Sequence, residues 1–247
     1  MRNALIIIGT LILISFSDTL FSQELNVVLE PGLGSFRMKD LKEINSMTLA
    51  SLPFDAEIAD NFPMYWTYKS SLLFSFRRFV TLGITGCYQS TGSRVSRADY
   101  SGEYAFDTRI RSFSPGIIIE FNYNVDKYRL SFSNEVGMEY SKLGLREYLM
   151  VGTESHENKY TFTAKNIYYE PAFKVSYPVS FFRVGLIAGY LIDVKREPLS
   201  GTNGNLILSN GKTARSNWSG IRFGVLLSYN IFQAFKPSSR SSKITSR

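Results

Sequence analysis

The chain has 247 residues, 15% of them aromatic and 20% charged, with one cysteine and one histidine. A single thiol excludes an intramolecular disulfide, and one His with one Cys leaves no ligand spacing for a structural metal, so no cofactor is expected. The net charge of +7 does not point to nucleic acid, because Lys236, Arg240, Lys243 and Arg247 supply four charges within the tail 233–247, leaving 7 − 4 = +3. That Ser-rich basic tail reads as a disordered segment.

Arg2 is followed by the apolar run Ala4 to Ile14 and then by small residues, the pattern of a secretory signal peptide. The expected signal spans 1–22, with cleavage after Ser22. Cleavage after Ser17, with Ser15 at −3, fits the small-residue rule better. The run is too short to cross a bilayer as a helix, and no other apolar stretch is long enough. An exported chain has little access to nucleic acid, so none is expected as a partner.

From Leu25 onward, period-two alternation dominates. Leu25, Val27, Leu29, Pro31 and Leu33 form one face of a first strand, with Gly32-Leu-Gly34 marking a bend or bulge. Pro31 is awkward in a central strand, since it lacks an N–H. Helical spacing of Leu41, Ile44, Thr48 and Leu52 predicts one helix between Met38 and Leu52, inside a connection over 37–62. It is expected to pack as a lid on the rim or to dock a partner.

A second strand runs from Tyr65 to Arg77, and a tight turn leads into a third (Val80 to Gln89). A polar connection is expected from Ser93 to about Ala105. Strands four (Ser112 to Tyr123) and five (Tyr128 to Tyr140) flank the short turn Asn124–Lys127. Another long connection is expected over 144–159. Strands six (Tyr168 to Tyr177) and seven (Phe182 to Asp193) flank a turn at Tyr177–Ser180. A last connection, 194–217, contains Ser209-Asn-Gly-Lys212, a type I′ turn signal. Strand eight ends the pattern near Phe232.

Eight strands with alternating long and short connections suit an antiparallel transmembrane β-barrel. Volume decides which face points inward. Eight strands leave an interior just wide enough for side chains, so five or six large apolar residues per strand belong outside. The opposite faces are rich in Gly, Ser, Ala and Thr, which fit inside. Tyr65, Tyr88, Tyr123, Tyr128, Tyr140, Tyr177 and Tyr229 sit near strand ends, as interfacial girdles do.

The inward positions gather six basic residues (Lys69, Arg77, Arg129, Lys174, Arg183, Arg222) and six acidic ones (Glu30, Glu120, Glu135, Glu139, Glu170, Asp193). Buried charges persist when paired, so a salt-bridged plug is expected. His156, between Ser155 and Glu157, reads as an exposed loop residue, and no second element completes a catalytic triad. Gly32-Leu-Gly34 lacks the third glycine and strand-to-helix setting of a nucleotide loop.

The last strand carries Arg222, Gly224, Leu227 and Tyr229 at the spacing of an outer-membrane assembly signal. With the strand count and loop asymmetry, the chain over 25–232 resembles small Gram-negative outer-membrane β-barrels of the OmpA-like or PorT-like type. One departure is the continuation for 15 residues past Phe232. The resemblance implies a signal peptide (1–22), a barrel (23–232) and a periplasmic tail (233–247). It also implies an outer-membrane location with both mature termini periplasmic. The expected partners are outer-membrane lipid and the barrel-assembly machinery, with a protein partner at loops 37–62 and 194–217. A non-enzymatic structural or accessory role, as in a secretion or surface-assembly complex, is expected; a small pore and a lipid-modifying enzyme are the alternatives.

Overall fold

A computed structural model describes residues 24–77, 79–100, 102–202 and 204–231, with the Arg77 side chain excepted. The signal over 1–22, both cleavage sites, Phe232 and the tail 233–247 lie outside the described residues.

Where large apolar and small polar residues alternate, the chain forms long strands. In order these are β1 (Glu24–Gly34), α1 (Lys39–Ser51), β2 (Glu57–Asn61), β3 (Tyr65–Arg77), β4 (Val80–Asp99), β5 (Gly102–Val125), β6 (Tyr128–Val151), β7 (Glu154–Val179), β8 (Phe182–Arg196), β9 (Ser200–Gly201), β10 (Gly204–Asn205) and β11 (Gly220–Asn230). Among the described residues the result is one antiparallel sheet of eleven strands, three of them short additions to the eight expected. Eight of them close on themselves: β1 pairs β3, the chain of pairs runs through β4, β5, β6, β7 and β8 to β11, and β11 returns to β1. The three short strands attach to this ring at β4 and β7.

At one end the turns are two residues long. Asp126 and Ser180 take φ of 51° and 57°, the left-handed conformation that tight hairpins need. A turn forms at Ser209–Lys212, with Gly211 at φ 75° and its N–H donating to the Leu208 carbonyl, but it is not the expected type I′, because Asn210 does not take the positive φ that type requires.

Two expected connections are not loops. Residues 93–99 and 102–105 belong to β4 and β5, and residues 144–159 to β6 and β7 on either side of the turn at 152–153. Their outward residues are polar because that part of the sheet stands beyond the apolar belt, while Val95, Tyr104, Ile110, Leu143, Leu145 and Ala164 stay buried within. His156 therefore lies on a strand, exposed near its end, and not in a loop.

The outside of the ring carries a continuous apolar belt. Ile117 is 69% exposed and Ile84 is 62% exposed, in register with each other and with Val136. Inside, the core is layered. Val28, Leu73, Ile118 and Leu226 form a small apolar layer near the short turns. A charged layer follows. Above it sits an apolar cap in which Phe36, Leu41 and Ile44 of the first long connection meet Leu199, Leu208 and Trp218 of the last. The helix thus lies where the sequence put it, with Asn45 also buried and hydrogen-bonded to Ser93 at 2.5 Å.

No register shift marks the Gly32 region, so the expected bulge is absent. A Cβ on Gly32 would lie 2.3 Å from the Phe223 carbonyl oxygen. The glycine is needed for close approach of β1 to β11, where the ring closes. Pro31 is accommodated because the β1–β11 ladder skips it while the β1–β3 ladder continues.

Candidate functional site: a charged interior

Inward-facing polar residues from eight strands converge on the axis of the ring, and two ammonium groups organise them. Lys69 on β3 donates to Glu135 at 2.8 Å and to Glu170 at 2.7 Å. Those carboxylates stand directly opposite each other on β6 and β7. Like charges facing across a ladder repel, and the ammonium between them removes that penalty. Glu135 also accepts from Thr85 at 2.7 Å and from the Tyr168 hydroxyl at 2.6 Å.

Lys174 on β7 forms the second cage, donating to Glu30 at 2.7 Å and to Glu120 at 2.5 Å. All three side chains are buried. Glu30 is the cross-strand neighbour of Lys69, yet its bond goes across the ring to Lys174. Each ammonium therefore serves two carboxylates from distant strands, and the cages brace opposite walls against one another.

Among the described residues Glu139 makes no ion pair with a cation. It accepts from Gln89 at 2.6 Å and Ser112 at 2.7 Å, and it meets the Asp193 carboxyl. Asp193 also accepts the Trp218 backbone N–H at 2.7 Å. Arg222 lies beside this group without touching a carboxylate. Its guanidinium donates to Gln89 at 3.0 Å and to the carbonyls of Ser35 and Trp218, and it sits 5.0 Å from the Phe36 ring centroid. Gln89 thus links Arg222 to Glu139.

The expected set therefore divides. Glu30, Lys69, Glu120, Glu135, Glu170 and Lys174 form the two cages, while Glu139, Asp193 and Arg222 form a third cluster joined by Gln89. Arg129 and Arg183 do not join them. They line an open mouth of about 200 Å³ at the short-turn end, where Arg129 faces Glu24 at 3.9 Å. The Arg77 side chain lies outside the described residues. The balance of six against six gives way: the cages and third cluster hold six carboxyls and three cations. Sequence reading missed Gln89, Thr85, Tyr168 and Glu24. Their inward parity was readable, but their bonds join strands far apart in the chain.

In the proposed assembly signal, Arg222 points inward and Gly224 packs close to the Pro31 carbonyl. Leu227 faces out, and the Tyr229 ring lies 5.3 Å from that of Phe182. Among the described residues His156 makes no side-chain hydrogen bond or ion pair, and no group of metal-ligating side chains occurs. Cys87 is buried in the wall. The arrangement can brace a ring and block its bore.

No family model matches the chain, and no characterised protein matches it in sequence. Solved structures do resemble it. Ail, the attachment invasion locus protein of Yersinia pestis, in complex with the heparin analogue sucrose octasulfate, gives a TM-score of 0.39 at 9% identity, covering 85% of this chain and 99% of that one. LpxR from Salmonella typhimurium gives 0.23 at 8% identity, covering 84% and 99%. OmpT, an outer membrane protein of Vibrio cholerae, gives 0.18 at 6%, covering 85% and 99%. These are outer-membrane β-barrel proteins. The likeness is one of strand arrangement, and at such scores no residue role passes from them to this chain.

Proposed function

We propose that the ring is an eight-stranded β-barrel spanning an outer membrane, with a plugged bore and a non-catalytic role. In this reading both mature termini are periplasmic. The short turns at 126–127 and 180–181 face the periplasm, and β4–β7 project outward. The observation that carries the reading is the contrast between the two faces. Buried Lys69 and Lys174 cages with an apolar cap fill the interior, while the outside bears an unbroken apolar belt.

The belt has the dimensions of a bilayer core. On β5 the outward residues from Phe113 to Tyr123 are apolar, with Ile117 and Ile119 between. That stretch measures about 33 Å along the strand and about 25 Å along the normal once tilted, the height expected of a membrane barrel's apolar band. The barrel then serves as a structural or accessory element, as a PorT-like resemblance implies, presenting the connections 37–62 and 194–217 to a partner.

Planar-bilayer recording tests the plug: the wild-type chain is expected to show no stepwise conductance, and reproducible openings would overturn the reading. A His156→Ala strain is expected to keep its lipid A profile; a changed profile would favour an enzyme.

A further inference from the structure

Just beyond the apolar belt, at the end away from the short turns, the outward face of β4–β7 changes character in one step. Register places Tyr88, Phe113, Tyr140 and Lys165 in one cross-strand row. The next row is Ser90, Arg111, Lys142 and Thr163, and the one after is Gly92, Arg109, Gly144 and Thr161. A fourth row holds Arg94, Asp107, Arg146 and Lys159.

Charge in the fourth row is matched. Arg94 makes two hydrogen bonds to Asp107, and Glu157 takes Arg146 and Lys159. In the three rows nearer the belt it is not. Arg109, Arg111, Lys142 and Lys165 are exposed and make no ion pair among the described residues. Arg111 and Lys142 face each other directly across the ladder. Such a like-charge pair is unfavourable unless an anion lies between. Lys165 rests on the Tyr140 ring, its ammonium 5.7 Å from the centroid. An open groove of about 740 Å³ lies above, floored by Gly92, Arg109 and Gly144 and edged by Ser90, Thr161 and Asp60.

Height identifies the ligand. Arg111 is two residues from Phe113 and Arg109 four, or about 5 and 10 Å above the aromatic row after tilt. The headgroup layer is about 5–8 Å deep on each side of the hydrocarbon. Arg111 and Lys142 point sideways into that layer, Lys165 lies at its base in the aromatic row, and Arg109 stands just past its outer edge. We infer that Arg109, Arg111, Lys142 and Lys165 bind the phosphate groups of a phosphorylated glycolipid in the adjacent leaflet, with its sugar in the groove over Gly144. The inference rests on the membrane-spanning reading proposed above.

The test uses the full mature chain refolded in detergent micelles, titrated with bisphosphorylated lipid A and with the same lipid enzymatically dephosphorylated. Wild type is expected to bind the phosphorylated form about tenfold more tightly. Arg111→Gln/Lys142→Gln is expected to abolish that preference, with folding checked by the heat-dependent gel shift. Gly144→Phe leaves every charge in place and fills the groove; a Cβ there meets nothing nearer than the Arg109 carbonyl oxygen at 3.9 Å. It is expected to weaken binding about tenfold as well.

Equal affinity for the two lipids, or an unchanged preference in the double variant, would overturn the assignment. Full competition by millimolar inorganic phosphate would overturn the lipid as the source. A separate arm labels Ser155→Cys with an impermeant maleimide in intact cells. Labelling supports the outward orientation. Labelling only after permeabilisation would refute that orientation, and the micelle titration would still decide whether the patch prefers phosphate.

Discussion

Replacing Lys174 by methionine tests the interior cages. The side chain keeps its approximate length and loses its charge, leaving Glu30 and Glu120 facing each other, both buried, without the ammonium that joins them at 2.7 and 2.5 Å. Two charge-assisted hydrogen bonds at roughly 1.5–3 kcal/mol each give about 3–6 kcal/mol. Breaking a buried ion pair by removing one partner costs about 3–5 kcal/mol, which agrees. The assay is urea unfolding from lipid vesicles, read through the fluorescence of Trp218, which is buried in the apolar cap. The triple variant Lys174→Met/Glu30→Gln/Glu120→Gln removes the stranded charges and is expected to recover most of the loss. A single variant within about 1 kcal/mol of wild type would refute the cage as a structural brace.

Ile117→Arg places a charge at the centre of the outer belt beside Ile84 and Val136, and a loss of about 2–4 kcal/mol is expected in bilayers; an unaffected midpoint would mean that this face does not meet lipid. Gly32→Val forces its Cβ onto the Phe223 carbonyl where β1 meets β11, so a yield of folded, heat-modifiable protein well below wild type is expected on gels. Burial, aided by Glu147 nearby, pushes the Tyr104 phenol from 10.0 up to about 12. Its folded form favours the neutral phenol, so its contribution to stability is complete below pH 10 and is lost as pH rises toward 12. A difference absorbance titration of wild type against Tyr104→Phe is expected to show one late-ionising tyrosine; a difference centred on pH 10 would contradict the burial.

Much of the ring was legible because parity is local. Each of the eight expected strands keeps its sides, since one buried face locks register and a slip of one residue would invert every side chain. The helix at 39–51 was legible from the spacing of Leu41 and Ile44. Length was misread where the sheet leaves the apolar belt. Arg94, Arg97 and Asp99 resemble loop residues once their outward neighbours are polar, although Val95 remains inside. Beyond the belt, polarity reports the solvent on the outer face and says nothing about whether the ladder continues.

Pairing inside the ring was beyond the sequence for a different reason. Parity states that a residue points inward but not how high it sits or how far its side chain reaches. Glu30 and Lys69 are register partners of opposite charge and would be joined by any local rule. Instead Lys69 reaches Glu135 and Glu170, and Glu30 is taken by Lys174, 144 residues away. The choice is geometric. Glu135 and Glu170 oppose each other and need a cation between them, and Lys69 supplies it from across a bore narrow enough for one side chain to span. Arg222 shows the converse. Gly34 leaves room for its guanidinium, with a Cβ at that position only 2.7 Å from Nη1. The group turns to Gln89, two carbonyls and the Phe36 ring instead of a carboxylate. Closure of the ring, a property of all eight strands together, is what selects these partners.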